Sequence, residues 1–213
     1  SITQTPLNEQ DLKTMSEAVE VLRQFKGFSY FTEMSDIINR LEDHVASARM
    51  KTTPVIDFEK NESLKGLDYL DTIYHAIVNE HPIQLKYRSF KARSANSFIF
   101  YPYLLKEYRN RWFVYGVRGN GRILQNLALD RIQSLEVLPQ EHYIKNTFFD
   151  PNTFFNDLVG VTKNSGSVAE KVGFKVAAAE APYIITKPIH RSQQVVERLA
   201  DGSVILEIEV VIN

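Results

Sequence analysis

Apolar residues at the start of the chain return three and four positions apart. After Asn8, the sequence Glu9-Gln10-Asp11 places acids in a first helical turn, and Leu12, Met15, Val19 and Leu22 then share one face until Gly27 stops the run. A second amphipathic helix is predicted from about Thr32 to Ala48, with Met34, Ile37, Ile38, Leu41 and Val45 in register. Two helices cannot cover each other's apolar stripes completely, so residues 1–66 read as a helical linker or dimerisation segment that packs on another surface. A third helix carries Leu67, Leu70, Ile73, Ile77 and Val78, and His81-Pro82 ends it.

Beyond Pro82 the period drops to two. Ile83, Leu85 and Tyr87 alternate with Gln84, Lys86 and Arg88, which predicts a strand with one apolar and one basic face. Further strands are predicted at Ser97–Tyr108, Arg111–Arg118, Ile123–Leu129 and Ile132–Leu138. Their separators are Arg109-Asn110, Gly119-Asn120-Gly121 and the Asp130-Arg131 step, and five short strands so closely spaced suggest a small barrel. Residues from Pro139 to Phe149 read as a linker, and Asp150-Pro151 as the start of a short helix bearing Phe154, Phe155 and Leu158. Strand, helix, strand, strand follow at Val172–Ala177, Ala179–Thr186, His190–Leu199 and Val204–Ile212, with a hairpin turn at Asp201-Gly202. That order is a ferredoxin-like split βαβ unit without its last helix and strand. The fold class expected is therefore α+β.

The chain has 213 residues and no cysteine, so disulfides, thiolate metal sites and a cysteine nucleophile are excluded. No stretch approaches the roughly 20 apolar residues of a membrane helix and no signal peptide opens the chain, so a cytoplasmic location is expected. The absent initial Met, and a last strand still in alternation at Val210-Val211-Ile212, lead to the expectation of a fragment.

A net charge of -1 hides a strong asymmetry. Residues 1–80 carry 8 Lys and Arg against 14 Asp and Glu, and residues 132–213 carry 7 against 10. Between Pro82 and Arg131 the chain has ten cations against Glu107 and Asp130 alone. A basic segment set between acidic flanks calls for an anionic partner.

Three ordered stretches carry a family resemblance: Tyr101-Pro102-Tyr103-Leu104-Leu105, then Asn110-Arg111-Trp112-Phe113-Val114-Tyr115-Gly116, then Leu127-Ala128-Leu129-Asp130-Arg131-Ile132. Together they resemble the WYL domain, with Trp112-Phe113-Val114 in place of the naming tripeptide and Leu129-Asp130-Arg131-Ile132 intact. Gln125 stands where many members carry an arginine. Lys187-Pro188-Ile189-His190-Arg191-Ser192-Gln193 resembles the C-terminal (WCX-like) extension that often follows such domains. The resemblance implies an SH3-like or Sm-like β-barrel within a domain spanning 67–162 (core about 82–138), and an extension over 167–213. It further implies a sensory part of a bacterial transcription regulator whose DNA-binding winged helix precedes it. No winged helix is evident between Asn8 and Ala48.

The candidate ligand residues combine cations for phosphate with rings for bases: Lys86, Arg88, Arg118 and Arg131 supply charge, and Tyr87, Tyr103 and Tyr115 supply stacking. Tyr87 and Arg88 alternate, so they face opposite sides of their strand. The partner expected is a nucleotide or a short single-stranded nucleic acid, sensed by a homodimer that reaches DNA through its missing heads. Its rival is an oligomerisation scaffold whose basic strip meets an acidic flank of a partner subunit. His44, His75, His81, His142 and His190 lack metal-ligand spacing, and His190 with Ser192 has no placed acid or oxyanion hole. No catalytic residue, metal or cofactor is expected, and the chain is read as a non-enzyme. Trp112 is expected in the core.

Overall fold

The computed structural model describes residues 64–213 except 120 and 122, together with residues 10, 11, 14, 15, 18, 36, 37, 39 and 40. Those nine isolated positions are all helical, and the Thr14 hydroxyl donates to the Gln10 carbonyl at 2.9 Å. The two predicted N-terminal helices otherwise lie outside the described residues, as does most of the connection that follows them.

A single 3-10 turn, Leu67–Tyr69, runs into helix α1, Leu70–Val78. Leu70, Ile73 and Ala76 are fully buried on one face of α1, as their spacing of three predicts. The helix ends where Glu80 takes a positive φ of 52° and the His81 N–H donates to the Ala76 carbonyl. Five strands follow: β1 Ile83–Tyr87, β2 Asn96–Tyr108, β3 Arg111–Arg118, β4 Leu124–Ala128 and β5 Ile132–Val137. They form one antiparallel sheet in the order β4-β3-β2-β1-β5. Arg109 and Asn110, both at positive φ (49° and 60°), make the tight β2–β3 hairpin, and the Glu107 carboxylate accepts the Asn110 N–H.

The expected barrel does not close. β4 and β5 are the two edges and do not pair; a 3-10 turn, Leu129–Arg131, carries the chain from one edge to the other. The gap is filled from inside: α1 lies against the face made by Ile83, Leu85, Phe100, Val114, Leu127, Leu129 and Ile132. A helix seated there supplies the apolar contacts that strand pairing across the opening would otherwise bring. Trp112 packs half-buried on this core, as expected.

The second half is also antiparallel. β6 Ala169–Val176, α2 Ala181–Thr186, β7 Gln194–Arg198 and β8 Val204–Val211 give the order β6-β8-β7, with β8 inserted between the other two. That is the split βαβ arrangement predicted, and α2 packs on Phe174, Val176, Val204 and Leu206. The turn between β7 and β8 needs Gly202, at φ 82°, where the Asp201 carboxylate accepts from the Ser203 N–H and hydroxyl. β7 is an edge with every residue exposed, and a bulge at Val196 with Glu197 and Arg198 beside it discourages pairing with another strand.

The stretch 150–158, predicted as a helix, is a series of turns. Asp150 behaves as a cap, accepting from the Asn152 N–H and the Thr153 hydroxyl, and these bonds to the ionised carboxylate hold its pKa below the usual value. The chain leaves helical geometry because Phe149, Phe154 and Phe155 all turn onto Tyr115 of the sheet.

Gly66 seats the start of α1 on the β4–β5 turn. It has φ 84°, and a Cβ there would lie 2.4 Å from the Leu129 carbonyl carbon and oxygen. Gly66→Ala is therefore expected to cost roughly 3 kcal/mol or more in urea unfolding, through left-handed strain and a backbone clash. Gly173→Ala, where the nearest atom to a new Cβ is 4.0 Å away, should be neutral within about 0.5 kcal/mol.

Candidate ligand-binding site

The cations and rings singled out in the sequence separate onto two faces of the first sheet. At one end of it the last residue of β1, the first of β2 and the start of β5 come level, because Tyr87 pairs with Asn96 on one side and Ile132 on the other. On the α1 side of this end, Tyr87 packs half-buried on the core. Burial pushes its phenol pKa up, opposed by the Arg131 charge beside it. The Arg131 guanidinium lies 4.3 Å over the ring of Phe90, and the Arg131 carbonyl accepts the Arg88 N–H at 3.2 Å. Asp130 completes the cluster, with Oδ2 3.4 Å from Arg111 Nε and Oδ1 3.8 Å from Arg131 Nε. Asp130 Oδ1 and Arg131 Nε are buried without a hydrogen-bond partner among the described residues. Their separation is too long for a direct bond.

A second cation sits on a ring farther along the sheet. Arg118, exposed at the end of β3, holds its guanidinium 4.1 Å over Phe98 of β2. Arg118 pairs with Phe100, which is level with Ile83 at the start of β1, so Arg118 stands four residues along the ladder from Tyr87 as well as several strands across from Arg131. Cation–ring contacts of this exposed kind contribute about 0.5–1 kcal/mol each, enough to hold a guanidinium in place without neutralising it.

The structure thus brings Tyr87, Arg88 and Arg131 together and sets Arg118 apart from them, level with Ile83. Lys86 does not join them. It is exposed on the opposite face, level with Ser97 and Ser134.

Tyr103 and Tyr115, read from the sequence as stacking surfaces, are buried under residues 139–161, which form a strap across the second face instead of the expected free linker. Tyr115 is only 2% exposed; its hydroxyl donates to the Val161 carbonyl, and Asn126 Nδ2 donates to the same oxygen at 2.8 Å. Phe149, Phe154 and Phe155 surround its ring at centroid distances of 5.3–6.2 Å. Tyr103 is covered by Tyr143 and Phe148, and the Tyr143 hydroxyl is itself bonded to the Pro102 carbonyl. The sequence pattern carried no information on what would lie over these tyrosines.

The same strap holds the second sheet. The Asp157 carbonyl accepts the Val211 N–H at 2.8 Å, Asn156 accepts from Arg191 at 2.7 Å, and the Thr162 carbonyl accepts from Asn213. Lys163 pairs with Asp157 at 2.6 Å within the strap's last turn. His190 and Ser192 are part of this scaffold: Ser192 donates its N–H to His190 Nδ1 and its hydroxyl accepts the Glu209 N–H.

Phe90, Phe98, Arg111 and Asp130 escaped the sequence reading as site residues. Phe90 had a visible signal, a lone large ring inside the polar stretch Arg88-Ser89-Phe90-Lys91-Ala92-Arg93. Among the described residues, no helix is long and apolar enough to cross a membrane, and no three His, Asp or Glu side chains converge as metal ligands.

Residues 68–137 match the family model of the WYL domain. Among solved structures, the chain is similar to proteasome accessory factor B/C (PafBC) of Arthrobacter aurescens at 14% sequence identity and a TM-score of 0.35. That match covers 83% of this chain and 24% of the PafBC chain, so this chain spans about a quarter of that relative's length. No curated protein matches the chain.

The two buried tyrosines should respond oppositely to loss of their hydroxyls. Tyr115→Phe is expected to lower stability by about 1 kcal/mol, since it breaks a satisfied buried bond. Tyr103→Phe should leave stability unchanged or raise it by up to about 1 kcal/mol, because the Tyr103 hydroxyl is buried with no partner among the described residues. Burial pushes the Tyr103 phenol up to about 12. A raised folded pKa means a contribution fully present below the ordinary value of about 10 and lost as pH climbs toward 12. Circular dichroism against pH should therefore show alkaline unfolding that Tyr103→Phe moves to higher pH.

Proposed function

We propose that the chain, whose residues 68–137 match the WYL-domain model, is a ligand-sensing, regulatory part of a transcription factor. The observation that carries this reading is the Arg131 guanidinium, held over Phe90 beside Tyr87 and backed by exposed Arg88, with Arg118 held over Phe98 farther along the sheet. Guanidinium groups fixed by ring contacts are set up to donate paired N–H bonds to phosphate oxygens. The ligand is a phosphate-bearing one, a nucleotide or a short single strand, gripped by Arg88, Arg118 and Arg131, with Lys86 adding charge from the other face. Tyr87 contributes a ring edge from the core side. Tyr103 and Tyr115 are left with the structural work of holding the strap.

In this reading residues 67–162 form the sensor, residues 167–213 the extension, and residues 1–66 the helical segment through which a homodimer reports to its DNA-binding heads. Because the strap joins the sensor's second face to the extension, the placement of the extension depends on the sheet that binds ligand. The activity is binding and switching, without chemistry on the ligand.

Fluorescence anisotropy of the chain with a labelled short single-stranded oligonucleotide, at low and moderate salt and competed by nucleotides and duplex DNA, tests this. Saturable binding that weakens steeply with salt is expected, since neutralised phosphates release counterions. Arg118→Glu should weaken binding at least tenfold and flatten the salt slope by about 1. Arg118 is exposed, so the melting temperature should stay within about 2 °C. Absence of binding with any competitor would move the reading to a scaffold whose basic strip meets an acidic partner surface.

A further inference from the structure

We propose that Phe90 is a stacking platform for a planar ring of the ligand, a nucleobase, whose phosphate is held by the neighbouring cations; this rests on the phosphate-bearing ligand proposed above. Phe90 is 75% exposed although the Arg131 guanidinium covers one side of it at 4.3 Å. The ring's opposite face and its edges are therefore what meets water. The residue sits in a tight loop, where the Ala92 N–H donates to the Ser89 carbonyl at 3.0 Å and the Arg88 N–H to the Arg131 carbonyl at 3.2 Å. The ring is thus presented from an anchored backbone, which lowers the ordering cost of binding.

The surroundings select the occupant. Arg88, Lys91 and Arg93 are exposed in the same loop, and Arg131 lies beneath the ring. An apolar protein side chain seated on Phe90 would gain a phenyl face at the expense of desolvating these cations. A base attached to a sugar phosphate uses both: its π-face stacks on the ring while its phosphate meets the guanidinium groups. The Arg131 charge behind the phenyl draws electron density from its outer face, which favours stacking with an aromatic heterocycle over contact with a second cation.

The test compares two labelled probes of equal length and charge, a deoxyadenosine 10-mer and a fully abasic phosphodiester 10-mer, on the full chain. Wild type should bind the base-bearing strand more tightly. Phe90→Ala is expected to weaken that strand roughly 10- to 100-fold, the value of one base–ring stack, and to leave the abasic strand unchanged. Phe90→Trp should restore tight binding, with its indole fluorescence quenched on saturation. Equal loss on both strands would overturn the proposal, by showing that Phe90 acts only by positioning Arg131. No loss on either strand would also overturn it while leaving the phosphate-reading surface intact. Failure of wild type to bind either strand would overturn the ligand reading itself.

Discussion

Three residues between β4 and β5 decide the shape of the first half of the protein. Leu129 points inward and is 1% exposed, Asp130 spans two arginines, and Arg131 turns out along Tyr87. Such a turn cannot continue the ladder of β4, and it delivers Ile132 to the far side of β1. The sheet is thereby left open along one line, and helix α1 must fill it. Gly66 shows how tight this arrangement is, because the chain enters α1 against the Leu129 carbonyl with no room for a side chain. The core that holds the fold and the geometry that exposes Arg131 are consequences of the same turn.

The first sheet is covered on both sides by different chemistry. Aliphatic residues of α1 interlock with one face, and aromatic residues of the strap cover part of the other. The strap adds directional bonds, above all the Val161 carbonyl shared by the Tyr115 hydroxyl and the Asn126 amide. A carbonyl with two donors is fully satisfied, so the strap keeps one position on the sheet. From that position its next residues bond to β8 and the chain terminus, which ties the second sheet to the first through a short, defined segment. Strand β3 touches both covers: Val114 packs on the α1 side, and Tyr115 beside it holds the strap.

Charge follows the same division. The ten cations of the central segment are spread over strands and loops in sequence, yet few of them converge. Arg88 and Arg131 gather at one end, Arg118 stands apart over Phe98, Arg111 is bound to Asp130, and Lys106 is drawn 5.0 Å over Phe155 in the strap. Net charge along a segment is thus a poor guide to a surface, since alternate residues of a strand face opposite ways and a single carboxylate can occupy two arginines.

Much of this protein was legible without coordinates. Helical spacing placed α1, alternation placed the five strands of the first sheet and three of the second, and Arg109-Asn110 and Asp201-Gly202 marked two hairpins by residues that tolerate positive φ. Those features depend on local sterics and on burial period, which act between residues close in sequence. Arg131 was singled out through the ordered signature around Leu129-Asp130-Arg131-Ile132. What local patterns could not reach was which face each layer covers. The strap looked like a linker because its aromatics have no period of their own; they pack on a sheet from which they are separated by dozens of residues. For that reason Tyr103 and Tyr115 looked available while they are buried, and Phe90 looked incidental while it stands against Arg131. The sequence by itself determined α1, the strands of both sheets and the sign of the charge, through interactions of neighbours. Only the tertiary structure decided which rings face solvent, because that depends on contacts between segments far apart along the chain.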